Sequence, residues 1–256
     1  MKVDIKEYNF TLEILDILLE DQTTHQNILW GCDDYAFAST SPIDSSQIID
    51  GNSIIPRFEK EKDISNNRRK NKGEVFTPIA IVKLQNDIAD CGFKGAWEKY
   101  VEYKVLEVAC GEGPYLVTRY DVVTGETMLL RERQGLLDRK LAKVSKNTTE
   151  EQDWKKYALI ALKATYGFEW QGDSLLIARE NIFESWKDFF YQKFPNGTIT
   201  LEEEKEVAKI ISYNLFQMDG VSCCIPYSQI PAKVMNWETN ETEQFNPKLG
   251  CQLSLF

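Results

Sequence analysis

Lys104-Val105-Leu106-Glu107-Val108-Ala109-Cys110-Gly111-Glu112-Gly113 decides how this 256-residue chain is read. An apolar run broken by one acid predicts a short buried strand, and the Gly-x-Gly that closes it permits a tight turn with close approach to the backbone. By itself such a turn is equally a plain strand-to-helix connection. Downstream, the alternation continues. Thr149 and Gln152 are spaced as a capping box ahead of Trp154, Tyr157, Ala158 and Ala161 on one helical face, and a strand follows over 166–170. Asp173 stands where it can cap the next helix. Thr200 and Glu203 repeat the capping box ahead of Val207, Ile210 and Ile211, and residues 214–218 read as a third strand. Residues 121–130, between the first strand and these helices, look like a hairpin turning near Gly125.

Strand, helix, strand, helix, strand over 104–219 predicts a parallel sheet with helices packed on it, and such sheets bind ligands outside the carboxyl ends of their strands. The residues there are Glu107, Glu169 with Trp170, and Asp219. Three acids at three successive strand ends point to a nucleoside ligand, with hydroxyls for Glu169, an aromatic face at Trp170 and an exocyclic amine for Asp219.

Upstream of the opening strand, residues 8–20 carry Leu12, Leu15 and Leu19 beside Ile14 and Leu18 at helical spacing, 27–31 read as a short strand and 39–46 as a loop. Residues 57–72 switch to charge, with Arg57, Lys60, Lys62, Arg68, Arg69, Lys70 and Lys72 against Glu59, Glu61 and Asp63, and read as an exposed linker. Pro78 opens a helix running to Asp90. The expected organisation is an N-terminal helix and strand region over 1–56, a charged linker over 57–72, a ligand-binding α/β domain over 73–230, and a C-terminal hairpin and tail over 231–256. The hairpin turns around Thr239-Asn240. The tail ends Leu253-Ser254-Leu255-Phe256, which can dock on the core or on a partner.

Composition limits the function. With 40 acidic and 30 basic residues the net charge is −10, so a polyanion would have to be gripped by a local patch. Residues 57–72 and 131–146 are the two basic segments, the second holding Arg131, Arg133, Arg139, Lys140, Lys143 and Lys146 against Glu132 and Asp138. A solvated charged face is the alternative for either run. Six cysteines without a CxxC pair and a single histidine, His25, give little support to a metal site or to Ser-His or Cys-His catalysis. No apolar run is long enough to cross a bilayer, and Met1–Glu7 lacks the apolar block of a secretion signal, so the expectation is a cytoplasmic protein with no membrane partner.

Lys72-Gly73-Glu74-Val75-Phe76-Thr77-Pro78 resembles the short FTP-type element that precedes the cofactor pocket in adenine-specific DNA methyltransferases, and Val105–Gly113 resembles their S-adenosylmethionine motif. The two elements come in the family's order. Tyr166–Asp173 followed by Leu175–Asn181, together with Asn214–Gly220, resembles small bacterial and phage proteins called restriction endonuclease subunit M. The likeness covers roughly residues 25 to 227. It implies an α/β fold with a Rossmann-like S-adenosylmethionine-dependent methyltransferase sheet, abbreviated after the third strand and carrying an N-terminal extension. It also implies S-adenosylmethionine as cofactor. Phe76 and Thr77 would wall the methionine moiety, Glu107, Gly111 and Gly113 would form the methionine-proximal loop, Glu169 would bind the ribose, Trp170 would flank the adenine and Asp219 would approach its amino group. Core packing is the competing role for Phe76 and Trp170.

Adenine-N6 methylation needs a flipped base whose amino group donates to a side-chain oxygen and a backbone carbonyl, with an aromatic ring stacked on it. The family supplies these with Asn/Asp/Ser-Pro-Pro-Tyr/Phe, and no such tetrapeptide occurs here. Cys224-Ile225-Pro226-Tyr227 comes closest in order but follows Asp219 too soon for a helix and a fourth strand. A circular rearrangement known in the family places the tetrapeptide upstream, which nominates Asp33, Asp34 and Tyr35 as catalytic residues. A loop with acidic residues is the alternative there. The resemblance thus leaves two readings, a DNA adenine methyltransferase or modification subunit of a restriction-modification system, helped in target recognition by a second subunit, and a non-catalytic cofactor-binding relative with a regulatory or anti-restriction role. A nuclease is weaker, since no Asp...Glu-x-Lys constellation is well placed and Glu203-Glu204-Lys205 lies in a polar helix-like run.

Overall fold

A computed structural model describes residues 11–49, 54–60, 77–91 and 93–245. Phe76, most of 57–72 and the tail after Phe245 lie outside the described residues. At the centre are three parallel strands, β3 (Val105–Val108), β4 (Thr165–Glu169) and β5 (Leu215–Gln217), in the order β3-β4-β5. Val105 pairs with Thr165 and Gly167 with Leu215, so the sheet predicted from the alternating segments is the one formed. Helices α5 (Leu136–Asn147) and α6 (Glu151–Lys163) lead from β3 to β4, and α7 (Gly172–Lys193) and α8 (Leu201–Asn214) lead from β4 to β5.

Side chains alternate across a pleated sheet, and the register puts two sets on opposite faces. Leu106, Tyr166, Phe168 and Phe216 share one face and form a small cluster with Met218 and Ile225. The hairpin of β6 (Lys233–Asn236) and β7 (Glu241–Gln244) covers it, with Phe245 packed 5.9 Å from the Phe168 ring and 5.6 Å from Phe216. Glu107, Gly167, Glu169 and Gln217 lie on the other face, toward the helices. α7 is buried around most of its first three turns, as expected of a helix enclosed by α5, α6, α8 and the N-terminal helix α1 (Leu12–Leu19). Trp154, Trp186 and Phe190 interlock there at centroid distances of 5.4 to 6.2 Å.

The N-terminal part shares this core. α1 packs on α8 through Leu15, Leu18 and Leu19, and Trp30, Ile43 and Ile54 belong to the same apolar cluster as α7. Arg179 of α7, wholly buried, binds the segments together by donating to the carbonyls of Leu18, Glu20, Ser212 and Leu215. Two short strands, β1 (Glu20–Asp21) and β2 (Gln26–Asn27), follow α1, then α2 (Ser45–Ile49), α3 (Ile79–Asp90) and α4 (Trp97–Glu102) precede the sheet.

Several local expectations change. The strand expected at 27–31 stops at Asn27 and leaves one bridge, Leu29 to Pro42, because Gly31 turns the chain with φ of 66°. The 121–130 hairpin reduces to a bridge between Tyr120 and Thr127, since the Asp121 carboxylate draws in the N–H groups of Val123 and Thr124. The Thr200–Glu203 capping box forms, whereas α6 starts at Glu151 behind Glu150 with no side-chain cap. Asp173 does not cap α7. It lies in the first turn and is taken by Lys60 at 2.7 Å, with both side chains buried, so Lys60 is docked and not exposed as a linker residue should be.

Candidate functional site

The carboxyl ends of β3 and β4 meet at a glycine-bearing loop. Ala109, Gly111 and Gly113 all take positive φ (52°, 54° and 75°), folding residues 109–113 back over the strand ends. At Gly113 it is the φ of 75° that favours glycine, since a Cβ there would meet Ala178 only at an ordinary contact distance of 3.4 Å. Glu169 holds the arrangement together. Its Oε2 accepts from the Gly111 N–H at 2.8 Å, and its Oε1 accepts from the N–H groups of Trp170 and Gln171.

Glu107 sits beside it, 7% exposed, on the same sheet face. Its Oε1 accepts from Tyr115 N, and its Oε2 is buried without a hydrogen-bond partner among the described residues. Burial, and then the neighbouring Glu169 charge, push the Glu107 carboxyl well above its usual range. The Cys110 thiol is pushed up by the same burial and the same two carboxylates, which makes it an inert wall residue. An orphaned carboxylate oxygen beside a tightly curved backbone loop suits a cationic amine.

The chain upstream crosses this rim. A Cβ at Gly31 would lie 2.6 Å from the Trp170 carbonyl oxygen, so glycine is what allows the crossing. Gln217, at the end of β5, staples it by accepting from Leu29 N and donating to the carbonyls of Leu29 and Trp170. Residues 57–60 dock on the loop, where Glu112, 1% exposed, accepts from Arg57 N at 2.6 Å and from the Tyr120 hydroxyl at 2.7 Å. Trp170 meets Tyr227 edge to face at 5.2 Å. Next to the pair opens a cleft of about 250 Å³ bounded by Asn27, Leu29, Gln217, Pro226 and Tyr227.

The structure therefore gathers Glu107, Gly111, Gly113, Glu169 and Trp170 at one rim. Thr77 lies two residues before α3, whose first turn is fixed by Asp121 accepting from Ile79 N, and Phe76 lies outside the described residues. Asp219 stands two residues beyond β5 and is occupied locally. Its carboxylate accepts from the Ser222 hydroxyl and Val221 N, which holds it below the usual carboxylate range. Asp33 and Asp34 are exposed, while Tyr35 packs its ring 4.5 Å from Trp30 and donates to Asp173 at 3.3 Å. Glu112, Gln217 and the Lys60–Asp173 pair were missed in the sequence. The acid inside Gly-Glu-Gly was the one local signal, and the partners of all three are far away in the chain.

The basic segment over 131–146 does not form the expected surface. Arg133 pairs with Asp188 at 2.7 Å, Arg139 spans Asp87 and Asp90, and Lys140 is buried with its ammonium on the carbonyls of Tyr103 and Ala164. Arg131, Lys143 and Lys146 remain at the surface. Of the 57–72 segment only residues up to Lys60 are described. Among the described residues no helix is long and apolar enough to cross a membrane.

In comparison with known proteins, the family model described as N-6 DNA Methylase matches residues 62–229, more than half of the chain. No curated protein and no solved structure matches.

Proposed function

The chain belongs to the N-6 DNA methylase family, whose substrate is DNA, and from that membership we propose that it binds S-adenosylmethionine at the rim of β3 and β4. The observation that supports this most is the Glu107–Gly111–Glu169 arrangement. One buried acid has an unpartnered oxygen, and a second holds the backbone of the loop between them. Glu107 would receive the ammonium of the methionine moiety, which supplies the missing donor and returns the carboxyl to its charged form. Gly111 and Gly113 would let the cofactor lie against backbone, with Phe76 and Thr77 as the opposite wall. Glu169 would receive the ribose while keeping the loop in place. Trp170 would flank the adenine, with the cleft toward Tyr227 as the space beside it, and Asp219 would meet the amino group from its turn. The cofactor supplies an activated methyl group, and this chain's residues bind and orient it.

For catalysis, the candidate is the Asp33-Asp34-Tyr35 segment, supported by the bond from the Tyr35 hydroxyl to Asp173 in the first turn of α7. We assign the exposed carboxylates of Asp33 and Asp34 to accept from the amino group of an extruded adenine. A second reading is favoured by one observation: Tyr35, the ring that would stack on the base, is already packed on Trp30. On that reading the chain is a cofactor-binding, non-catalytic relative or a modification subunit completed by a second chain in a restriction-modification system.

Calorimetric titration with S-adenosylmethionine tests the cofactor site. Binding is expected, weakened by at least about tenfold in Glu169→Ala, which loses both the ribose acceptor and the anchor of Gly111. An absence of heat with the unmodified chain overturns the proposal. Labelled methyl appearing in DNA adenine, and lost in Asp34→Ala, supports the active reading. Good cofactor binding without transfer supports the second.

A further inference from the structure

Phe245 is the last described residue, its ring held between Phe168 and Phe216 on the hairpin face of the sheet. The sequence then runs Asn246-Pro247-Lys248-Leu249-Gly250, with Pro247 and Gly250 as breakers of regular structure. After these breakers comes Cys251-Gln252-Leu253-Ser254-Leu255-Phe256. Gln252–Phe256 puts three large apolar side chains into five residues, with Leu253 and Leu255 separated by Ser254 at the period of an extended peptide. The Gln252 amide offers donors and an acceptor next to them. This is the composition of a short peptide that binds in an apolar groove, where the backbone is extended and alternate side chains fill pockets.

The rest of the molecule says where such a peptide should lead. A protein that acts on DNA here carries a net charge of −10, and Lys60, Arg133, Arg139 and Lys140 are spent on its own carboxylates and carbonyls. Through these four side chains its attraction for phosphates is correspondingly small. A tether to a protein already seated on DNA replaces that attraction by raising the local concentration of substrate.

We propose that Gln252–Phe256 is a docking peptide for a protein that encircles duplex DNA, with Leu253, Leu255 and Phe256 filling an apolar groove on that clamp. The docking needs neither cofactor nor methyl transfer, so it goes beyond the cofactor reading and fails or succeeds separately from it.

The full chain titrated with a purified bacterial sliding clamp, a ring closed around DNA, is the test, run without S-adenosylmethionine. Association in the micromolar range is expected, weakened at least about tenfold in a Leu253→Ala, Phe256→Ala double variant. Leu129→Ala, a 54%-exposed apolar residue elsewhere, should leave it unchanged, and the thermal midpoint of the double variant should equal that of the parent. No association with the clamp overturns the proposal, as does association that survives the double substitution. A clear fall in the thermal midpoint of the double variant also overturns it, because the peptide then belongs to the chain's own core.

Discussion

Single residues show how burial, more than charge, sets the chemistry of the rim. Glu107 is an acid kept from water and facing another acid, and its carboxyl is raised by burial first and by Glu169 second. A glutamine in its place keeps the shape and removes the ionisation, so Glu107→Gln should melt with the parent at pH 5 and above it at pH 8. The expected gain there is about 2–4 °C for each kcal/mol of relieved desolvation, and cofactor affinity should fall at least about tenfold in the same variant. Melting curves that stay together at both pH values would place Glu107 in water. Glu180 of α7 behaves similarly, its carboxyl pushed up to about 8 by burial and then by Glu184. An acid with a raised folded pKa binds its proton more tightly in the folded chain. Its contribution is complete below about pH 4.5 and is lost as pH rises toward 8. Buried Asp138, raised to about 6, adds in the same direction, while Lys140, lowered to about 7 by burial, acts the other way above that pH. Stability should therefore decline from pH 5 to 7, and Glu180→Gln should flatten the decline. A parent that gains stability across that window would contradict it.

Elements were legible in the sequence wherever the signal was local. The strands at 105–108, 165–169 and 215–217 follow from apolar runs, and the α8 start from the Thr200–Glu203 box, because a strand's burial and a cap's hydrogen bonds involve neighbours in the chain. Three acids or their neighbours were correctly placed at strand ends for the same reason. The misreadings share the opposite cause. Arg139 and Lys140 looked like a solvated face of α5, yet their long stems carry the charge to Asp90 of α3 and to the carbonyl of Ala164 before β4. Asp173 looked like a cap and instead meets Lys60, more than a hundred residues away in sequence. Arg179 on α7 likewise serves distant groups, the carbonyls of α1, β1, α8 and β5. Arg179→Met leaves those oxygens buried without a donor and should cost about 3 kcal/mol or more, read as a lowered urea midpoint. A loss under about 1 kcal/mol would mean that water or a shifted helix end replaces the guanidinium.

At the scale of the whole molecule, the family span begins at residue 62, but the rim is completed from before it, by Leu29, Gly31, Tyr35, Arg57 and Lys60. The same economy governs charge. With Lys60, Arg133, Arg139, Lys140 and Arg179 answered internally, the chain should bind duplex DNA weakly, with a log–log salt slope of magnitude below about 3 instead of the steep slope of proteins that make many phosphate contacts. Filter binding across a salt series measures it, and a slope near about −6 would reveal a basic surface in the undescribed part of 57–72. The Arg179 clamp also bears on how the chain is born. It joins carbonyls at residues 18 and 20 to others at 212 and 215, and α1 has its apolar face against α8. A ribosome adding about 5–20 residues per second delivers these two segments roughly 10–40 s apart. Through that interval Leu15, Leu18 and Leu19 emerge with no α8 to receive them. That part of the apolar face which rests on α8 can be covered only after nearly all of the described chain has been made.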